Sequence, residues 1–188
     1  MKTNTTPLAG VVLLEPRRFG DDRGFFAETY KLDAYQAAGV MSEFVQDNHS
    51  LSAHVGTVRG LHFQASPSAQ DKLVRCGRGA IFDVAVDIRL GSPTYGKWVG
   101  FELSADNGTQ LFIPAGFAHG FMTLQPDSEI VYKCSDYYAP QTEGAVRWND
   151  PAIGIAWPLD LEPILSGKDA EAPLLTDFDS PFTWEGLA

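Results

Sequence analysis

The chain has 188 residues, of which 44% are hydrophobic and 12% aromatic, a composition typical of a folded domain with a sizeable core. Its formal net charge of −10 argues against nucleic acid as a partner, because binding to a phosphate backbone needs a basic surface. A local cluster of Arg and Lys side chains is still able to bind an anionic small molecule.

Residues 1–16, MKTNTTPLAGVVLLEP, combine one lysine with a short apolar run broken by proline. This is not the pattern of a signal peptide, and no segment has the length and hydrophobicity of a membrane span. Cys76 and Cys134 each lie in an apolar run without a CxxC motif, which argues against a zinc site and a disulfide framework. We therefore expect a soluble, cytoplasmic protein that does not act at a membrane.

The predicted elements are mostly short strands. KLDAYQAA (31–38) predicts one short helix, which Gly39 ends at the usual C-terminal glycine position. RGLHFQ (59–64) has strand character, and AIFDVAVDIR (80–89) alternates between Phe, Val and Ile on one face and Asp and Ala on the other. Further strands are predicted, separated by the turns GSPTYG, SADNG and QPDS, in KWVGFEL (97–103), TQLFIP (109–114), GFMTL (120–124) and EIVYKCSDYY (129–138).

The last forty or so residues are rich in Pro and Asp and weakly periodic, so we expect loops and short turns that wrap around the strands. Regularly spaced strands with few helices predict an all-β fold, an antiparallel sandwich or barrel. The chain shows no internal repeat and no low-complexity linker. We therefore expect residues 1–188 to form a single domain.

The histidines do not form a metal-binding pattern. The chain contains His49, His54, His62 and His119, with no HxH or HxxxH pair among them. Two isolated histidines can still converge in space, but this spacing is weak evidence for a metal. A metal site therefore ranks well below the other roles considered for these histidines.

Proton abstraction next to a ketone needs a base, a cation or donor at the carbonyl oxygen, and an acid on the opposite face. Histidine, with an unperturbed pKa of about 6.5, is the natural base, and His62 is the candidate. Tyr132 is a candidate acid, and Lys72 begins a strand from which an ammonium group could point inward. The pattern alone favours an ordinary structural role for each of these three residues.

Strict alternation along RGLHFQ places Arg59 and His62 on opposite faces of a strand, so the two could not share a pocket. Glycine within a strand often marks a bulge that redirects the following side chains. We therefore predict a bulge at Gly60 that turns Arg59 and His62 toward one site.

Seven blocks of the sequence occur in the order seen in the dTDP-4-dehydrorhamnose 3,5-epimerase family, which the chain resembles from about residue 8 to residue 180. The blocks are FGDDRGFFAETY (19–30), FVQDNHS (44–50), VRGLHFQ (58–64), KLVRCGRGAIFDVAVDIR (72–89), IPAGFAHGF (113–121), YKCSDYYAP (132–140) and LSGKD (165–169). The resemblance implies a cupin-like jelly roll that works as a homodimer without metal or cofactor. It also implies epimerisation of dTDP-4-dehydro-6-deoxy-D-glucose at C3 and C5, giving dTDP-4-dehydro-L-rhamnose.

The resemblance also implies roles for individual residues. His62 matches the general base, Asp169 its orienting carboxylate and Tyr132 the proton donor on the opposite face of the sugar. Lys72 matches the residue at the C4 carbonyl oxygen, where it would stabilise the enolate. Further positions match the substrate site: Arg23, Glu28, Gln46, Asp47, Asn48, Arg59, His119, Glu143 and Lys168.

Among these, Arg23, Arg59 and Lys168 are the natural diphosphate partners by charge. Tyr138, which strand alternation places on the face of Tyr132, is a further candidate for substrate binding. In the family, the segment with Arg23 and Glu28 reaches the pocket of the partner subunit, so the resemblance implies that activity requires the dimer.

Several alternatives remain open at this point. Asp83 is a second candidate for the carboxylate beside His62, and without the resemblance SGKDAEAP (166–173) reads as a solvated turn. A relative that epimerises only C3 or only C5 would share most of these residues. A metal-dependent cupin oxygenase and a sugar-nucleotide-binding module without catalysis are more distant alternatives.

Overall fold

Two antiparallel sheets face each other in the computed structural model, which describes residues 1–158 and 160–186. In spatial order, the six-stranded sheet contains β1 (Lys2–Thr5), β2 (Val12–Glu15), β10 (Gln110–Ile113), β7 (Lys72–Arg78), β12 (Ser128–Cys134) and β5 (Gln46–Ser52). The five-stranded sheet contains β13 (Glu143–Ala145), β6 (Val58–Gln64), β11 (Phe117–Thr123), β8 (Ala80–Asp87) and β9 (Trp98–Ser104). A separate hairpin is formed by β3 (Arg18–Asp21) and β4 (Gly24–Ala27).

Helical structure is limited to short segments in the part of the chain that is described. Helix α1 (Leu32–Gln36) lies within the predicted range of 31–38, and Gly39 follows it with a φ of +91°. Helix α2 (Gly167–Ala170) and two single-turn 3₁₀ segments, Pro140–Thr142 and Leu175–Asp177, complete the set. The predicted antiparallel all-β sandwich is confirmed, and the arrangement is a cupin-like jelly roll.

The main core lies between the two sheets. It is built from inward-facing side chains such as Val74, Leu111 and Ile130 of one sheet and Ile81 and Ala85 of the other. The opposite face of β8 is not exposed to solvent. The C-terminal segment wraps around the sheet as expected and covers this face. Val84 and Val86 of β8 share a hydrophobic cluster with side chains of that segment, which are Ile153, Trp157, Phe178 and Phe182.

Because β8 is covered on both faces, its polar residues are buried as well. Asp83 and Asp87 are both fully inaccessible to solvent. Asp87 accepts hydrogen bonds from Arg89, Ser92 and Thr94, so its charge is neutralised by a local network. Asp83 instead faces the interior between the sheets, where the functional site lies.

One prediction for β12 is wrong. Alternation over residues 129–138 placed Tyr138 on the same strand face as Tyr132, but β12 ends at Cys134. Both neighbouring strands begin opposite that residue, since Cys134 pairs with Lys72 on one side and Gln46 on the other. Without ladder partners beyond this point, the chain leaves the sheet.

The predicted bulge at Gly60 is confirmed. His62 lies opposite His119, and Arg59 lies opposite Phe121, so β6 contains one residue more than β11 between these two pairs. Gly60 has a φ of +121°, and a Cβ atom there would lie 2.6 Å from the Cα of Gly120. A glycine is required by both the backbone conformation and the close strand approach. As a result, Arg59 and His62 border the same cavity.

Candidate active site

A cavity of about 450 Å³ opens between the two sheets. His62 and His119 reach it from β6 and β11 of the five-stranded sheet, and Lys72 and Tyr132 reach it from β7 and β12 of the facing sheet. The segment around α2 closes one side. The lining consists of Ser50, Thr57, Val58, Arg59, His62, Lys72, His119, Phe121, Tyr132, Ile164, Leu165, Ser166, Lys168 and Asp169.

His62 and Asp169 form a close pair in this cavity. The His62 Nε2 atom lies 2.5 Å from Asp169 Oδ1, and the exposed fractions of the two side chains are 28% and 4%. Burial raises the pKa of the Asp169 carboxyl, but the hydrogen bonds from His62 and Ser166 outweigh burial and leave the pKa below its usual value. Asp169 is therefore an anion that accepts from Nε2, which leaves Nδ1 of His62 free to accept a proton.

Ser166 holds Asp169 in place. Its Oγ donates to Asp169 Oδ2 at 2.9 Å and accepts from the Asp169 backbone N–H at 3.1 Å, which makes Ser166 the N-cap of α2. The interpretation of residues 166–173 as a solvated turn is thus wrong at Asp169, which is 3% exposed. The Ser-x-x-Asp spacing is a capping motif, and it is a sequence signal that could have identified this helix start.

His119 and Asp83 form a second pair deeper in the cavity. His119 Nε2 lies 2.8 Å from Asp83 Oδ1, and both side chains are buried. The other carboxylate oxygen of Asp83 is buried without a hydrogen-bond partner. The structure thus resolves the choice between the two carboxylates, because Asp83 contacts His119 and Asp169 contacts His62.

Lys72 and Tyr132 have shifted pKa values. Burial lowers the pKa of the Lys72 ammonium, against the opposing influence of Cys134, Glu143 and Asp83. Burial raises the pKa of the Tyr132 hydroxyl, and Cys134 raises it further, whereas the side chain of Asn48 on the neighbouring strand lowers it. Tyr132 therefore stays protonated at neutral pH and faces the His62 side of the cavity from the opposite sheet.

The rim of the cavity carries a cluster of charges. Glu143 accepts from Lys168 Nζ at 2.7 Å and from the Tyr138 hydroxyl at 3.1 Å. Arg59 is fixed by two hydrogen bonds, from Nε to Ser52 Oγ and from Nη2 to a backbone carbonyl, both at 3.1 Å. Of these predicted substrate-binding residues, Arg59 and Lys168 line the cavity itself.

The predicted substrate-site residues 46–48 lie on β5, where their side chains point to both faces of the sheet. Gln46 and Asn48 lie on the side of Ser50, which lines the cavity, whereas Asp47 points away and forms an ion pair of 2.8 Å with Lys133. Asp47 is therefore not brought to the cavity within this chain, because successive strand residues face opposite sides of the sheet.

Arg23 and Glu28 also lie away from this cavity. Arg23 is in the β3–β4 hairpin, its side chain is 90% exposed, and it pairs with Asp21 at 2.6 Å. Glu28 follows β4 and borders a separate surface groove with Phe19 and Lys31. Ser50, Phe121 and Ser166 are lining residues that the sequence reasoning did not single out.

The structure of residues 1–158 and 160–186 also bears on metal binding and membrane crossing. No group of three or more His, Cys, Asp or Glu side chains there is arranged to hold a metal ion. None of the helices in that part of the chain has the length and apolar character needed to cross a bilayer.

In this cupin-like jelly roll, a histidine–carboxylate pair, a lysine and a tyrosine lie around one cavity, and such groups are able to support acid–base chemistry. The family of dTDP-4-dehydrorhamnose 3,5-epimerases matches residues 5–177. A dTDP-4-dehydrorhamnose 3,5-epimerase of Salmonella typhimurium is 56% identical over 90% of this chain and 93% of its own length. The chain belongs to the dTDP-4-dehydrorhamnose 3,5-epimerase family and is an isomerase.

Solved structures agree with this assignment. The dTDP-6-deoxy-D-glucose-3,5-epimerase of Legionella pneumophila, solved in complex with dTDP-4-keto-L-rhamnose, has a TM-score of 0.90 and 47% identity, covering 95% of this chain and 94% of that one. A 3'-monoepimerase of Streptomyces bikiniensis, solved with dTDP-quinovose, has a TM-score of 0.85 and 39% identity, covering 92% and 88%. The fold is therefore shared by relatives with different numbers of epimerised centres.

Proposed function

We propose that the protein epimerises dTDP-4-dehydro-6-deoxy-D-glucose at C3 and C5, giving dTDP-4-dehydro-L-rhamnose. The observation that carries this proposal is the His62–Asp169 pair, which faces Tyr132 across one cavity with Lys72 beside them. The names of the relatives support the same substrate class, since the Legionella enzyme was solved with dTDP-4-keto-L-rhamnose.

In the proposed first step, Nδ1 of His62 takes the proton from the carbon next to the C4 ketone. The C–H electron pair forms the enolate double bond, and negative charge moves to the C4 oxygen. The Lys72 ammonium stabilises that oxygen, and Asp169 stabilises the imidazolium that forms. The lowered pKa of Lys72 makes it a readier hydrogen-bond donor to the enolate than an ordinary lysine.

In the second step, Tyr132 returns a proton on the opposite face. Its O–H bond breaks, a new C–H bond forms with the enolate electron pair, and the configuration of that carbon is inverted. Such inversion needs the acid and the base on opposite sides of the sugar, and His62 and Tyr132 project from facing sheets. Tyr132 is then reprotonated from solvent, and the His62 imidazolium releases its proton to solvent, which restores both groups.

The diphosphate of the substrate would lie at the rim, where Arg59 and Lys168 supply positive charge in an otherwise acidic chain. We further propose that the protein acts as a homodimer, in which Arg23 and Glu28 complete the partner's site. The β3–β4 hairpin supports this, since it presents Arg23 together with Phe25 and Phe26, whose exposed fractions are 61% and 65%.

A second candidate function is epimerisation of a single centre in a related nucleotide-sugar pathway. The similarity to a 3'-monoepimerase of known structure favours keeping it, since that enzyme shares the fold. A non-catalytic sugar-nucleotide-binding module predicts binding of dTDP without exchange, and a cupin oxygenase predicts stoichiometric metal in the purified protein.

Solvent exchange distinguishes these functions. The protein is incubated with dTDP-4-dehydro-6-deoxyglucose in D₂O, and deuterium at C3 and C5 is followed by NMR. Deuterium at both carbons supports the main proposal, deuterium at one supports a monoepimerase, and deuterium at neither contradicts catalysis. His62→Asn should abolish exchange, whereas His54→Asn, at an exposed residue outside the cavity, should leave it unchanged.

A further inference from the structure

The segment that carries Asp169 buries little of itself against the fold. Within residues 164–173, which we call the α2 strap, Asp169 and Ala172 are buried, and the other residues are half-buried or exposed. A segment with so few buried contacts is held in place mainly by its hydrogen bonds to neighbouring elements. The position of the Asp169 carboxylate therefore depends on how the two ends of the strap are attached.

The first end of the strap is attached through the backbone. The Ile164 N–H donates to the Gly56 carbonyl at 3.0 Å, and the Ile164 carbonyl accepts from the Val58 N–H at 2.9 Å. Val58 is the first residue of β6, the strand that carries His62. This end is therefore fixed relative to the strand of the base.

The second end of the strap is attached to Arg147, which follows β13. The Arg147 side chain donates from Nε to the Ala172 carbonyl at 2.9 Å, and its backbone N–H donates to the Pro173 carbonyl at 2.8 Å. Ala172 lies shortly after Asp169, with only the end of α2 between them. Movement of the Ala172 carbonyl is therefore passed to the carboxylate over a short length of chain.

Arg147 is itself fixed relative to His62. The preceding residue, Val146, donates to the Leu61 carbonyl at 2.9 Å and accepts from the Leu61 N–H at 3.1 Å. Leu61 is the residue next to His62 on β6. The strand of the base and the segment of its carboxylate are thus joined through Arg147.

We propose that Arg147 is a positioning residue for the epimerisation, which holds the α2 strap where the Asp169 carboxylate reaches His62. This inference rests on the function proposed above. Arg147 lies outside the lining of the cavity, so its influence on the reaction passes through Asp169 and not through contact with the substrate. A hydrogen bond between an ionised carboxylate and an imidazole depends steeply on distance and direction, so a small shift of the strap weakens it.

Two substitutions of nearly equal shape separate the hydrogen bond from the bulk of the side chain. In Arg147→Gln, the amide nitrogen stands where Nε of arginine stood and still donates to the Ala172 carbonyl, whereas Arg147→Met places a methyl group there. We expect the exchange rate per folded molecule to fall about tenfold in Arg147→Met, the equivalent of one hydrogen bond. Arg147→Gln should restore most of that rate.

Proton NMR in H₂O reads the position of Asp169 without any substrate. The ring N–H of His62 that donates to the carboxylate should resonate far downfield, and its resonance is identified by its loss in His62→Asn. We expect this resonance to move upfield or broaden in Arg147→Met and to keep its position in Arg147→Gln. A general loss of stability lowers its intensity without moving it.

A double-mutant cycle with Asp169→Asn tests whether Arg147 acts through the carboxylate. Because Asp169→Asn already removes the charged contact, adding Arg147→Met should lower the exchange rate by about twofold or less. Arg89→Met is the matched control, since Arg89 is another half-buried arginine but donates to Asp87 away from the cavity. It should lower the urea midpoint and leave both the resonance and the exchange rate per folded molecule unchanged.

Two results would overturn the inference. One is a His62 resonance in Arg147→Met at its wild-type position. The other is an equal loss of rate from Arg147→Met in the wild-type and Asp169→Asn backgrounds, which would mean that Arg147 does not act through Asp169. If Arg147→Met does not fold, Arg147→Ala removes the same donor and is measured in its place. Absence of exchange in the wild-type protein contradicts the proposed function instead, and the resonance still tests what Arg147 holds in place.

Discussion

Replacing Asp169 by asparagine tests the histidine–carboxylate pair most directly. The two side chains keep nearly the same shape, but the negative charge that stabilises the His62 imidazolium is lost. The amide can also donate to Nε2, which places the ring proton on Nδ1, the nitrogen that must accept the substrate proton. The perturbation therefore removes both an electrostatic contribution and the correct tautomer.

The magnitude follows from the geometry of this contact. A hydrogen bond with an ionised partner contributes about 1.5–3 kcal/mol, and the 2.5 Å distance and the 4% exposure of Asp169 place it at the strong end. Since each 1.36 kcal/mol corresponds to a factor of ten in rate, the exchange rate should fall about 10- to 150-fold. The tautomer effect lowers the rate further.

The assay is the initial rate of deuterium incorporation at C3 and C5, normalised to the concentration of folded protein. Asp150→Asn is the matched control, because Asp150 is also buried but accepts backbone N–H groups of Ala152 and Leu175 outside the cavity. That variant should lose stability without a specific loss of exchange. A rate in Asp169→Asn close to the wild-type rate would refute the role of this pair.

Three further predictions concern other residues. Lys72→Met should lower the exchange rate roughly 10²- to 10³-fold while raising the urea midpoint, since burial disfavours the ammonium and lowers its pKa. Gly60→Ala should reduce the free energy of unfolding by about 2–4 kcal/mol, measured by urea titration, because of its φ of +121° and the clash with Gly120. The pKa values of the Asp169 and Glu143 carboxyls in the folded protein lie below their usual values. The stability that these two carboxylates contribute should therefore be present above about pH 4.5, and it should be lost as the pH falls through their folded-state pKa values.

Each of these predictions has a control variant or a result that would contradict it. Exchange at the wild-type rate in Lys72→Met would show that Lys72 does not stabilise the enolate. Gly39→Ala shares the positive φ but meets no atom within 4 Å, so an equal loss of stability there would mean that the contact with Gly120 contributes nothing. Lys168→Met should flatten the acid-induced change in urea midpoint, because it removes the partner of Glu143.

Much of the fold was predictable from local patterns. Alternation in residues 80–89 predicted strand β8, and KLDAYQAA followed by Gly39 predicted helix α1. The same alternation could not show what covers each face. The apolar face of β8 lies under the C-terminal segment, and the face with Asp83 lies toward the cavity, because the wrapping segment buries the side that an isolated sandwich would leave exposed.

The end of β12 illustrates a second limit. Residues 129–138 alternate throughout, yet the strand ends at Cys134 because β5 and β7 provide no partner beyond it. Strand length depends on where the neighbouring strands begin, and that information lies elsewhere in the chain. The bulge at Gly60 was predictable for the opposite reason, since glycine in a strand is itself a local signal.

The sequence by itself determined the class of fold, the position of most strands, the bulge in RGLHFQ and, through seven ordered blocks, the family. Only the tertiary structure decided which carboxylate contacts His62. Asp169 lies 107 residues away in a segment without strand character, and its burial depends on Ser166 and on the packing of α2 against β6. Such a pairing arises from long-range contacts, and local patterns carry no information about which distant residues meet.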